Sequence, residues 1–284
     1  MHPTLTLPKK APSTKKRHTS RPLTILYLVL GFCLVFLGLF GGKIAPYDPL
    51  KISMAERFQA PSASHWFGTD YLGRDIASRI MAATSLDLES CLVILSIATV
   101  IGVLIGVVSG YYGGIIDEIF MRITDVFIAF PGLILAMAIA AVLGPNLIHV
   151  VIALTVVWWP SYARLIRGQV LSLRERDFIQ ASRSLGAGDG WLMFKHFLPN
   201  ILIPLTIHIA SNAAPALVTA SALSFIGMGV QPPTPEWGAM LNDGRQYMLD
   251  HWWMATFPGL AIAVTVIIFN GLVEIIRSRL SEHY

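Results

Sequence analysis

Six apolar runs, at residues 22–42, 90–111, 126–143, 147–163, 200–226 and 253–273, leave this chain few ways to fold. Each is close to the roughly 20 residues that a helix needs to cross a hydrocarbon core of about 30 Å. The sequence is 54% hydrophobic and 13% charged, where soluble domains carry about 25% charged residues. Inside a bilayer the backbone must satisfy its own hydrogen bonds, which favours helices. The expectation is an all-α integral membrane protein with six transmembrane helices. Gly102, Gly106 and Gly110 stand four apart in the second run, a spacing that lets two helices pack backbone to backbone. Pro204 and Pro215 interrupt the fifth run, and kinks are expected there.

The net charge of +4 does not point to nucleic acid, because the basic residues cluster beside apolar runs. Residues 1–21 hold Lys9, Lys10, Lys15, Lys16, Arg17 and Arg21 without an acid; they are read as a disordered basic tail. A signal peptide is the competing reading of the first run. Its apolar stretch is too long for that, and no small-residue cleavage site precedes Ala45-Pro-Tyr-Asp. Six crossings put both termini on one side. That side collects 15 Lys and Arg, counting the tail, Arg122, the six from Arg164 to Lys195, Arg277 and Arg279, against 6 opposite. The excess places the tail and the loop after the fourth run in the cytoplasm. The acidic stretch Asp117, Glu118, Arg122 and Asp125 fits least well, although acids contribute little to the rule. Cys33 and Cys91 lie in or beside apolar runs and imply neither a disulfide nor a metal.

Uphill transport needs an energy source, and the chain has no G-x-x-x-x-G-K-S/T loop with which to bind ATP. The cores of the second to sixth runs contain no Asp, Glu, Lys or Arg, the groups that ion-coupled transporters use. His149 and His208 are read as helix-end or interhelical hydrogen bonders. A hydrolase built from His208 and Ser224 fails on distance, because 16 residues of helix separate them by about 24 Å. In the mixed-charge segment 43–88, Asp70 and Asp75 are expected to pair with Arg74 and Arg79, ahead of a short helix starting near Asp75. A catalytic dyad drawn from His65, Asp70 and Asp75 would lack a nucleophile or metal set beside it. No catalytic, cofactor-binding or metal-binding residues are expected, so the energy should come from a partner.

The polar stretch from Phe178 to Pro199 is the natural place for that partner. It reads as two short helices broken at Gly186-Ala-Gly. Phe178, Ala181, Ser182 and Leu185 fall on one narrow face, and small residues at its centre admit another protein's surface. Gly186 and Gly188 suit a left-handed helix end, and Asp189 suits the N-cap that follows. The stretch resembles the EAA loop of ABC-type importer permeases: Gln180-Ala181-Ser182, Gly186, His196, Leu198 and Pro199 stand at the family's spacing. Gln180, Ser182 and His196 depart from its usual Glu, Ala and Ile.

Two further motifs are similar to those of permeases for dipeptides, oligopeptides and nickel. One is Phe67-Gly-Thr-Asp-x-x-Gly-Arg-Asp-x-x-Ser-Arg79 and the other is Ser224-Phe-Ile-Gly-Met-Gly-x-x-Pro-Pro-x-Pro-x-Trp-Gly238, with Phe257-Pro-Gly-Leu-Ala-Ile262 opening the last run. From its chemistry, the second motif is expected to form a rigid, partly buried cap at the membrane surface, with Trp237, Trp252 and Trp253 fitting an interfacial belt.

The resemblance implies the second, C-type permease subunit of a binding-protein-dependent peptide transporter, with the type I ABC importer permease fold and a cytoplasmic coupling helix. It implies a multi-pass protein of a prokaryotic inner membrane, paired as a heterodimer with a homologous permease. Two cytoplasmic ATPase subunits and an extracytoplasmic binding protein complete the expected assembly, with membrane lipid around it. Phe178, Gln180, Ala181, Ser182, Leu185 and Gly186 are the expected ATPase contacts. The chain then divides into a basic tail at 1–21, a first transmembrane helix at 22–42, an extracytoplasmic segment at 43–88 and a five-helix core at 89–284, with its coupling loop at 174–199. Di- and oligopeptides are the expected cargo. Nickel chelates or glutathione are alternatives, and an ion-coupled secondary transporter is the alternative of another class.

Overall fold

The computed structural model describes residues 21–281. The basic run ahead of Arg21 and the last three residues therefore lie outside the described residues. Helix α1 covers Arg21–Ile44 and α2 covers Ile76–Tyr112. Helices α3 (Gly114–Ala129) and α4 (Gly132–Leu143) meet at a bend of 91°. Helix α5 runs Leu147–Arg174, and α6 is the short Asp177–Ser184. Helix α7 (Asp189–Leu192) passes through a π turn at Met193–Phe197 into α8 (Leu198–Phe225). Helices α9 (Trp237–Arg245) and α10 (Trp253–Ser281) complete the chain. Five of these runs are long and apolar enough to cross a membrane, and the bent α3–α4 pair makes up a sixth when counted as one broken span.

The structure redraws several predicted boundaries. The helix starting beside Asp75 is not short, because it continues without a break into the apolar run at 90. The run 126–143 is not one helix: Phe130 and Pro131 separate α3 from α4, and Pro131 cannot donate to a continuous ladder. Both Pro204 and Pro215 lie inside α8, whereas the irregular turn falls earlier, at Met193–Phe197.

The centre of the bundle is α2 against α5. A Cβ on Gly102 would sit 2.3 Å from Tyr162 Cβ, and one on Gly106 would sit 2.6 Å from the Ala163 carbonyl oxygen. The predicted small-residue seam is therefore a backbone-to-backbone contact between α2 and α5. Cys91, Ala98, Tyr162, Ala163, Ile166 and Val170 are buried along it. Helix α8 closes the same core through Ile201, Leu205 and Leu217. By contrast, α1 and the α3–α4 pair leave Phe32, Ile115 and Val142 mostly exposed. Such apolar outer faces suit a lipid or helical environment.

Candidate functional site

At one end of the bundle the chain leaves α5 at Arg174, makes α6, and returns through α7. Helix α6 is an eight-residue amphipathic piece with Ile179 fully buried on its inner side. Its termination follows from Gly186, whose φ is +87°. The Gly186 amide donates to the Arg183 carbonyl and the Ala187 amide to the Ser182 carbonyl, at 3.0 and 3.1 Å. That pair of bonds is the Schellman arrangement, which needs a left-handed residue at this position. Gly188 does not share the role. It has φ −71° and is itself the N-cap of α7, which moves Asp189 one place inside the helix.

The predicted face points outward. Leu185 is 89% exposed and Phe178 45%, with Gln180, Ala181 and Gly186 also exposed and Ser182 half-buried. Ser182, Leu185, Gly186, Ala187, Gly188 and Trp191 border an open groove of about 450 Å³. Trp191 and Ala187 were not singled out from the sequence; Trp191 lies on the second helix, whose apolar residues show no period over four positions. His196 fills the corner between the two helices. Its ring lies 5.7 Å from Phe178 and 4.9 Å from Trp191, with Ser182 Oγ 3.5 Å from Nε2. The departure at position 196 thus places an aromatic ring where an aliphatic side chain is usual.

This corner is tied to the transmembrane core through Tyr111, near the end of α2. The Tyr111 hydroxyl donates to the Asp189 carboxylate at 2.5 Å, and its ring meets Phe197 edge-on. The Arg183 guanidinium lies 5.3 Å above the same ring, and Arg174 reaches the Gly110 and Tyr111 carbonyls. Displacing α6 and α7 therefore pulls on α2. Tyr111→Phe removes a bond to a charged acceptor, a loss of about 1.5–3 kcal/mol. Faster hydrogen exchange in residues 186–197, with α5 unchanged, is the expected reading.

The opposite end is built around the 45–75 segment. Arg74 is 2% exposed, its Nε 2.6 Å from Asp70 Oδ2 and its Nη2 3.8 Å from Asp243 Oδ2. Arg79 Nε lies 3.8 Å from the same Asp70 oxygen, as the charge spacing predicted for Asp70, whereas Asp75 pairs with His65 and not with an arginine. Burial raises the Asp243 carboxyl above its ordinary value, and Arg74 and Arg79 pull it back. Asp75 caps α2 by accepting from the Ser78 amide and hydroxyl, and its other oxygen meets His65 Nδ1 at 2.9 Å. A hydrolytic triad needs the histidine between acid and hydroxyl. Here the aspartate lies between, so the trio is a helix cap.

Trp237 is buried, in keeping with a partly buried cap, and Trp253 is buried too, so neither ring faces outward as a belt residue would. Trp237 Nε1 donates to the Ile80 carbonyl and Trp253 Nε1 to the Thr69 carbonyl, each at 3.2 Å. Only Trp252 of the three is exposed. His149 and His208 behave as expected: His149 Nδ1 holds the Gly144 carbonyl at 2.8 Å, and His208 meets Ser161 across helices.

Residues 102–282 match the family described as "Binding-protein-dependent transport system inner membrane component". A probable D,D-dipeptide transport system permease protein of Escherichia coli K12 is 41% identical over 259 residues, 91% of this chain and 87% of the relative. A dipeptide transport system permease of Alkalihalophilus pseudofirmus is 38% identical, covering 93% of this chain and 87% of the relative. A glutathione transport system permease of Pectobacterium atrosepticum is 40% identical, covering 87% and 82%. Among solved structures, an inward-facing MetNI methionine ABC transporter shares the fold with a TM-score of 0.55 and 20% identity. It covers 67% of this chain and 91% of the solved one. An amino acid ABC transporter solved with histidines also scores 0.55 at 16% identity, covering 71% and 94%.

Proposed function

Because this chain belongs to the binding-protein-dependent transport system inner membrane components and is the permease subunit of an ABC importer, we propose that it passes di- or oligopeptides inward and takes its drive from ATPase subunits docked on α6. The single observation that carries the docking surface is the outward apolar face of α6, anchored behind by Ile179 and linked to α2 by Tyr111. Burying Leu185 or Phe178 under a partner removes apolar area worth up to about 1.5–3 kcal/mol each. Two ATPase subunits lie in the cytoplasm beneath this permease and a homologous partner, and the excess of Lys and Arg on that side supports the orientation. An extracytoplasmic binding protein delivers cargo to the 45–75 end. The functional division of the chain is then a basic tail at 1–21, a first crossing at 22–42, an outer segment at 43–88 and a permease core at 89–284, with the coupling loop at 174–199.

The cargo class rests on the relatives, whose printed names are dipeptide and glutathione permeases. Glutathione is the second reading, supported by relatives at 40–41% identity. Competition between labelled dipeptide and glutathione for uptake separates the two.

Gly186→Val tests the coupling role. A β-branched residue at φ +87° strains the turn by about 1–3 kcal/mol, which weakens ATPase docking about 5- to 150-fold. Gly188→Val is the matched control, since Gly188 has an ordinary φ and open space around it. Loss of uptake and of cargo-stimulated hydrolysis in the first variant alone supports the assignment. Wild-type behaviour in both removes it.

A further inference from the structure

Asp87 and Glu236 stand 149 positions apart in the sequence, yet both are more than nine-tenths buried and their side chains hydrogen-bond to each other. Asp87 lies on α2, ahead of the apolar run, and Glu236 is the N-cap of α9. The contact sits where α2, α8 and α9 meet. Trp237 donates its backbone amide to Asp87 Oδ2 at 3.2 Å and its ring N–H to the Ile80 carbonyl. Gly238 packs directly on Ser221 of α8, and Ser224 of the same helix reaches Glu236.

Two carboxyl groups in direct contact inside a protein do not both ionise, because like charges at that separation repel strongly in a medium of low polarisability. What acts most strongly on the two is burial, each other, and the amide and hydroxyl donors around them. The donors divide unequally between them. Glu236 accepts from the Gly238 amide at 2.9 Å, from the Ala239 amide at 2.7 Å, and from Ser224. It also lies at the positive end of α9. Asp87 accepts from one amide, at 3.2 Å. The negative charge therefore rests on Glu236, and Asp87 carries the hydrogen that joins them.

We propose that Asp87 and Glu236 form a proton-binding site that fastens α9 to α2, and that loss of this proton loosens the packing of α9 on α2 and α8. The ligand is a proton and not a metal ion, because the amides of Trp237, Gly238 and Ala239 point their hydrogens at the same oxygens a cation would need. The remaining neighbours are neutral: Ser221 and Ser224 from α8, and the Cys91 thiol one turn along α2. Arg79 reaches the loop at the Pro233 carbonyl, 3.5 Å away. Burial pushes the Glu236 carboxyl above its ordinary range, with the amides and Ser224 pulling it back. The sign follows. A shared proton holds α9 at acidic and neutral pH, and the hold weakens as pH rises and the second carboxyl ionises.

The test uses the assembled importer in lipid nanodiscs. Infrared difference spectra taken across a pH titration report protonated carboxyl groups directly. The wild type is expected to show such a carbonyl band at neutral pH that fades on alkalinisation, together with falling cargo-stimulated ATP hydrolysis. Asp87→Asn keeps a hydrogen-bond donor towards Glu236 without a titrating proton. It should lose the band and make the upper limb of the pH profile flat. A band that persists undiminished in Asp87→Asn puts the proton elsewhere and overturns the proposal. Should that variant fail to assemble, the wild type decides alone, since absence of a protonated carboxyl at neutral pH also overturns it. Added calcium that restores alkaline activity would identify a cation site instead.

Discussion

Arg74→Met is expected to cost about 3–5 kcal/mol of stability, the usual penalty for leaving a buried charge without its partner. Arg74 is almost wholly enclosed and is the near neighbour of Asp70 at 2.6 Å. Removing it leaves the Asp70 carboxylate with Arg79 at 3.8 Å and with the Leu72 and Arg74 amides. Asp243 loses its Arg74 contact as well. The effect should appear as a lower midpoint in detergent-solubilised thermal unfolding and as proteolysis within residues 45–75. Adding Asp70→Asn to the first change should recover much of the loss. The asparagine oxygen still accepts from both amides, and the unpaired charge is gone. Equal stability of Arg74→Met and wild type would mean that the buried pair does not hold the segment.

The second large effect is expected from Gly102→Leu. Its first side-chain carbon would fall 2.3 Å from Tyr162 Cβ and 2.9 Å from both the Ala163 nitrogen and the Trp159 carbonyl oxygen. Most of these are backbone atoms of a facing helix and cannot rotate away. Overpacking of this kind costs about 1–3 kcal/mol where side chains can adjust, and occasionally more. Here α2 and α5 must separate, so the upper end is expected, with loss of the monodisperse complex on size exclusion. Gly168→Leu is the comparison, because that glycine has open space around it. If both variants purify as wild type does, the seam is looser than its distances imply.

Much of the fold was legible because lipid imposes simple rules. Long apolar runs marked the crossings, the Gly102–Gly106–Gly110 spacing marked the seam, and Asp75 marked the start of α2. The outward face of α6 was legible from four residues at helical spacing, and Gly186 from the need for a left-handed turn. Other elements were hidden for physical reasons. Hydropathy reports where lipid begins and not where a helix begins, so the first thirteen residues of α2 were assigned to the outer segment, with only a short helix beside Asp75. Hydropathy also runs through Pro131 unchanged, although the backbone turns there by 91°. Tryptophan's double character made Trp237 and Trp253 look interfacial, whereas each spends its single N–H on a buried carbonyl. Ile179 was not legible, because a single apolar residue on one side of an eight-residue helix sets no period that tells an inner face from an outer one. The Asp87–Glu236 contact has no local pattern at all; only the packing of three helices creates it.

The continuous run from Asp189 to Phe225 has one more consequence. Its 37 residues make a rod about 55 Å long, with Trp191 and the groove at one tip and Ser221 and Ser224 at the other. Gripped near its middle by α2 and α5, such a rod is a lever with its fulcrum inside the bundle. A tilt of about 5° shifts each tip by roughly 2–3 Å in opposite directions. On this geometry a displacement at the groove would be felt beside α9 at the far tip.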